Sequence, residues 1–282
     1  YPIARTVNGT LTNLKFKLRG PTPPKNKIVI IEADDSSITT LGRWPWDRRV
    51  LARLVERLNA AGTKAIALDV LMSEPSADPK ADAALGAALA RAHRAALPYG
   101  FTMAEGRSGA FMPLLPAPAI EVPGIALGHV VLRPDPDGVV RRVPLWIELD
   151  GKTFPQLMVA LQDTVFNRSA TGSDAPLLPL RPAGAYRTVP ASAVLDGTLP
   201  AAFLAGKVVL VGASAAGLGD RFAVPAGAGG VMDGVEIQAN LYQALAEGGF
   251  LRPAPAPAQE PAQGSRRAQR HRRQRTRSPI PG

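Results

Sequence analysis

The chain alternates short, continuous apolar runs with longer segments in which apolar residues recur every three or four positions. Ile28-Val29-Ile30-Ile31 is the first run, and it reads as a strand buried on both faces. From Arg49 to Ala61, Val50, Leu51, Leu54, Val55 and Leu58 fall on one helical face, with Asp47 as N-cap and Gly62 just past the end. Ala65 to Leu71 repeats the strand pattern, Asp78-Pro79 opens a helix carrying Leu85 and Leu89, and Ala95 to Phe101 is a third strand. Strand and helix periods in alternation predict βαβ units.

The middle of the chain changes character. Ala126 to Leu132, a turn at Asp135-Pro136-Asp137-Gly138, and Val143 to Leu149 read as an antiparallel hairpin, followed by a helix from about Pro155 to Phe166. Residues 169–187 are rich in Pro, Gly, Ser and Thr and read as a surface excursion with at most short strands. Lys207 to Gly212 is another buried strand, a Gly-rich loop runs to Gly230, and Val235, Ile237, Leu241 and Leu245 line a closing helix. The fold class expected is α/β: a mainly parallel central sheet flanked by helices in three Rossmann-like layers, with an antiparallel hairpin inserted around 125–149.

A chain of 282 residues with 46% apolar content buries a substantial core. It holds no cysteine, which excludes disulfides, thiolate metal sites and a cysteine nucleophile. No apolar run is long enough to cross a bilayer, and the chain starts at Tyr1; it reads as a piece of a longer protein, with any export or anchoring segment outside it. The net charge of +10 is concentrated at one end, because seven arginines and one glutamate after Arg252 carry +6 and leave +4 for residues 1–252. That Pro- and Arg-rich tail is expected to be disordered. No aromatic residue interleaves its arginines, so nucleic-acid binding ranks behind a solvated linker. Three parts follow: a segment 1–26 packed on the domain, the domain 27–252, and the tail 253–282.

Several chemical motifs come close to known patterns. Gly212-Ala213-Ser214-Ala215-Ala216 follows a strand as a nucleophile elbow does, yet alanine stands at its fifth place, and His93 and His129 both precede Ser214. Gly212 and Gly217 have P-loop spacing, but Leu218 occupies the lysine position. Asp34, Asp35, Asp69 and Glu74 should emerge at the carboxyl ends of neighbouring strands, where carboxylates can hold a hard cation, bind a cationic ligand, or cap helices and pair with Arg43 and Arg48. Trp44 and Trp46, flanking Pro45, either lock a strand-to-helix corner or, with Arg48, contact a ligand at the sheet mouth.

Arg19-Gly20-Pro21, the run from Ile28 to Ser37, Leu41-Gly-Arg-Trp-Pro-Trp46 and Ala67 to Pro75 together resemble the second type of CHASE domain, the cyclase- and histidine-kinase-associated sensory extracellular family (CHASE2). Leu127-Gly-His129-Val130, Asp135 to Pro144, Gly206 to Ala213, Gly217-Leu-Gly-Asp220 and Gly234-Val-Glu236-Ile-Gln-Ala-Asn240 continue the pattern, so the resemblance spans about Leu11 to Arg252. Gln238 stands where such domains often carry histidine. The tail departs from the family, in which transmembrane helices are expected at that point.

The resemblance implies a periplasmic or extracellular input module of a bacterial membrane receptor, with a cyclase, diguanylate cyclase or kinase output lying outside this chain. It implies an unknown small-molecule or protein ligand, a homodimer in the full receptor, membrane attachment through segments outside the chain, and no cofactor, catalytic residue or metal. Asp34, Asp35, Trp46, Arg48, Asp69, Glu74, Ser214, Asp220, Glu236 and Asn240 are the ligand-binding candidates. The alternative is a metal-dependent hydrolase using Asp34, Asp35 and Asp69, or a serine hydrolase using Ser214, with its site at the carboxyl ends of the strands.

Overall fold

A computed structural model describes residues 27–103, 111–166, 175–218 and 220–251. The expected membrane-proximal segment 1–26, residues 169–174 and the Arg-rich tail lie outside the described residues. Six parallel strands form the centre: β1 (Ile28–Ala33), β2 (Ala65–Leu68), β3 (Ala95–Met103), β5 (Ala126–His129), β8 (Arg187–Pro190) and β9 (Val208–Ala213). They lie in the order β5-β3-β2-β9-β1-β8, and β4 (Phe111–Leu114) adds antiparallel to the outer half of β3.

Two layers of helix cover this sheet. α1 (Asp35–Leu41), α2 (Arg48–Ala60), α3 (Pro79–Arg91), α5 (Ala191–Leu195) and α6 (Ala201–Leu204) pack with Val29, Ile31, Val209 and Val211 on one face. α4 (Leu157–Phe166) and α7 (Gly234–Glu247) pack with Ile28, Ile30, Val208 and Leu210 on the other. This is the three-layer α/β arrangement that the apolar runs predict.

Local chemistry sets the element ends as read from sequence. The Asp47 and Asp78 carboxylates accept from the amides of Arg49 and Lys80, capping α2 and α3, and Gly62 takes the left-handed φ of 73° just after α2. Gly128 is required for packing rather than for φ, since a Cβ there would fall on the backbone of Leu157 and 2.7 Å from the carbonyl carbon of Gln156. β5 therefore lies directly against the start of α4.

The antiparallel hairpin is present, but its strands are β6 (Trp146–Leu149) and β7 (Lys152–Pro155). Ala126–His129 joins the parallel sheet beside β3 instead. The turn at Asp135–Gly138 forms as expected and is tied down by Arg141, whose buried guanidinium reaches both Asp135 and Asp137 at 2.8 Å. The excursion is only partly on the surface: Leu177, Leu178 and Leu180 are buried, and the chain then enters β8 along β1. Apolar side chains outweighed the local turn formers there. The Gly-rich loop likewise contains a short hairpin, β10 (Arg221–Ala223) with β11 (Val231–Asp233).

Candidate functional site

The connections define where a ligand can sit. β1 runs into α1 and α2 on one face, whereas its neighbour β9 runs through the β10–β11 hairpin into α7 on the other face. Adjacent parallel strands whose connections leave to opposite faces open a crevice at their carboxyl ends. A cavity of about 250 Å³ lies beside that point on the α7 side, lined by Ile30 and Glu32 of β1, Thr188 of β8, Ala183 and Gly184 before it, Arg221, Val231 to Asp233, and Val235 and Glu236 of α7.

Glu32 sits in register with Ile28 and Ile30 on the α7 face of β1, because strand side chains alternate. Burial pushes its carboxyl above the usual carboxylate range; hydrogen bonds from Thr188 and Ser214 pull back, and the charges of Asp34 and Asp233 push further up. Glu236, in the first turn of α7, accepts the Gly184 amide at 2.7 Å. Burial pushes it up to about 7 against the Gly184 and Ala185 amides, with Asp233 and Glu32 adding repulsion. Asp233 precedes α7 and pairs with Arg221 at 3.3 Å.

The ten candidate residues fall into distinct places. Glu236 lines the cavity, and Ser214 is bound to the cavity residue Glu32. Asp69 directly follows β2, its amide donating to the Val211 carbonyl, and burial together with the charge of Asp220 pushes its carboxyl up to about 7. β9 stands between β1 and β2, so Asp34 and Asp69 do not emerge from neighbouring strands as expected but two strand spacings apart, about 10 Å. Asp34 caps α1: although burial opposes it, the hydrogen bonds from Ser37 and Ser36 hold its carboxyl below the usual range. Asp35, beside it in the first turn, is exposed, as are Glu74 and Asp220.

The remaining candidates are engaged in packing. Trp46 is 2% exposed, donates from Nε1 to the Gly42 carbonyl at 3.0 Å, and meets Trp44 edge to face with ring centroids 4.8 Å apart. Arg48 pairs with buried Asp82 at 3.3 Å and donates to the Glu74 carbonyl. Asn240 is wholly buried, accepting the Arg181 amide at 2.8 Å and donating to the Glu236 carbonyl at 2.9 Å. It thus holds the segment before β8 against the base of the cavity wall.

Sequence reasoning passed over Glu32, Thr188, Arg221 and Asp233. The signal for Glu32 was available: a carboxylate in phase with two isoleucines on a strand otherwise wholly apolar. The other three lie on strands of three or four residues, too short for a period to register. Among the described residues, no three of His, Asp or Glu converge so as to hold a metal ion.

Comparison with known proteins adds one positive finding. The family model described as the CHASE2 domain matches residues 3–264. Neither a curated protein nor a solved structure matches the chain at a significant level. With nearly its whole length matched, the chain belongs to the CHASE2 family, the sensory extracellular domains of cyclase- and kinase-associated receptors.

Proposed function

We propose that the domain is a non-catalytic input module on the periplasmic or extracellular face of a bacterial membrane, and that its ligand occupies the cavity between β1, β8 and the first turn of α7. The observation that carries this reading is the cavity's construction: walls from the sheet, from the β10–β11 hairpin and from the last helix meet at one point. A ligand there binds groups that belong to separate elements, so its affinity depends on how they are placed. That differential affinity is what converts binding into a signal.

The relay runs along α7. Its first turn is tied to Gly184 through Glu236, and beyond its end Leu251 donates to the carbonyl of Leu177 at 3.0 Å. A shift of α7 at the cavity is thereby delivered to the residues that lead out of the domain. Membrane anchoring, homodimer formation and a cyclase, diguanylate cyclase or kinase output complete the proposal, all through segments beyond the described residues. Among the described residues no helix is long and apolar enough to span a membrane.

A thermal-shift screen against small metabolites, ions and cell-wall fragments tests the reading. A compound that binds the folded domain must raise its melting temperature. The expected result is a hit whose stabilisation disappears in Val231→Trp, which adds bulk at an exposed position of the lining. Hits that stabilise this variant and the parent equally would place the site elsewhere.

A further inference from the structure

The charge pattern of the cavity selects among occupants. Three carboxylates line it, those of Glu32, Asp233 and Glu236, against the single cation Arg221 among the described lining residues. Arg221 is committed to Asp233. Among the described residues Glu32 and Glu236 accept from neutral donors, hydroxyls in the first case and backbone amides in the second, and neither is in an ion pair. The amino end of α7 contributes about half a positive charge, less than the surplus. Beneath the carboxylates lie Ile30, Met232 and Val235, all buried.

Resting on the reading of this cavity as the ligand site, we infer that it binds a small amphiphilic cation, an aliphatic ammonium compound whose charged group sits between Glu32 and Glu236 and whose carbon chain lies on Ile30, Met232 and Val235. An anion would meet three carboxylates, and a neutral ligand would leave their repulsion in place. At about 250 Å³, the space is below the range of about 300–1,000 Å³ that drug-sized ligands fill, which fits a metabolite of few atoms. No described trio of donors suits a bare metal ion.

Glu236 meets the charges of Asp233 from the hairpin and Glu32 from β1, opposed by the Gly184 and Ala185 amides, and it interacts with Tyr186 ahead of β8, while Arg221 pairs with Asp233. Burial above all, with the charges of Asp233 and Glu32 added, pushes Glu236 up to about 7. An ammonium group favours the ionised form, so binding displaces a proton and strengthens as pH rises through about 7.

The test uses three probes of one shape and different charge, butylammonium chloride, butan-1-ol and sodium butyrate, added to the whole chain at matched ionic strength. Melting is followed at about pH 6 and about pH 8 for the parent and for Glu32→Gln and Glu236→Gln, which keep a hydrogen-bond acceptor and lose the charge. Butylammonium alone is expected to raise the melting temperature, more at the higher pH, with an apparent Kd at least about tenfold weaker in either variant, a loss of roughly 1.4 kcal/mol. Arg221→Ala, at an exposed position, removes the competing cation and is expected to tighten binding even if a glutamine variant folds poorly. Equal stabilisation by all three probes, or by butyrate alone, overturns the cation while keeping the cavity as a ligand site. Butylammonium binding unchanged in both glutamine variants overturns the placement. Absence of any effect overturns the cation, and the cavity then stands or falls on the metabolite screen with Val231→Trp.

Discussion

The Glu236 carboxylate accepts the backbone amide of Gly184 at 2.7 Å, joining the first turn of the last helix to the segment that leads into the edge strand β8. One hydrogen bond thus spans the cavity wall between two elements far apart in sequence. It is made by a group that burial pushes up to about 7, so its strength changes as pH crosses that value.

Stability should depend on pH through this residue and through Asp69. Both carboxyls are raised to about 7 in the folded state, chiefly by burial. Raised acids bind protons more tightly folded than unfolded, so their contribution is fully present below the ordinary carboxylate range and is lost as pH rises through about 7. Glu236→Gln and Asp69→Asn should therefore gain melting temperature relative to the parent at about pH 8, and less or nothing at about pH 5. His129 acts in the opposite sense, because burial, followed by the charge of Arg133, lowers it to about 4. Its contribution is present above its ordinary value and is lost as pH falls through about 4, so His129→Gln should flatten the acid limb of the melting curve.

The Trp-Pro-Trp corner is predicted to be a lock rather than a ligand contact. Trp46→Ala should destabilise by about 3–5 kcal/mol, the usual cost of emptying a large buried aromatic site. Trp46→Phe should cost less and leave butylammonium binding unchanged. Denaturant melts paired with the probe titration separate the two roles, and a selective loss of binding in the phenylalanine variant would contradict the lock.

Arg48 and Asp82 form a nearly buried pair, with side chains 14% and 3% exposed, and Asp82 also accepts the Ser76 amide at 2.7 Å. Arg48→Ala leaves a buried carboxylate without its cation and should cost about 3 kcal/mol. Adding Asp82→Asn should recover part of that loss. A double variant no more stable than the single one in urea melts would show that the pair is not coupled.

Ser214 hydrogen-bonds to the Glu32 carboxylate, and the non-catalytic reading requires that this pairing does not activate it as a nucleophile. A fluorophosphonate probe should leave Ser214 unlabelled by mass spectrometry. Labelling that is abolished in Ser214→Ala would revive the hydrolase alternative.

Gly128→Ala should cost more than about 3 kcal/mol, beyond ordinary overpacking, since the obstruction is the backbone of Gln156 and Leu157 rather than a movable side chain. Normal melting of this variant would mean that β5 and α4 are not packed as described.

Legibility from sequence followed length of period. β1, β2, β3, β9 and the helices α2, α3 and α7 each carry several apolar positions at one spacing, with Asp47, Asp78 and Gly62 marking ends, and all were readable. α1, with the sequence Asp-Ser-Ser-Ile-Thr-Thr-Leu, shows little but polar residues and forms because Asp34 caps it and Ile38 and Leu41 meet the core. β8 and the β10–β11 hairpin are too short to display a period and exist through their partners. The cavity was invisible for the same reason: it is assembled where these short strands meet β1 and α7. Glu236 was legible through the family pattern, whereas Glu32 needed only the observation that a charge interrupts an apolar strand.

Hydrogen exchange, measured with and without a hit from the screen, tests most directly whether occupancy of the cavity is coupled to α7. The account predicts slower exchange at Gly184, Ala185 and the first turn of α7, with a change extending to Gly248 and Leu251 at its exit. A compound that stabilises the domain while leaving exchange at both ends of α7 untouched would contradict it.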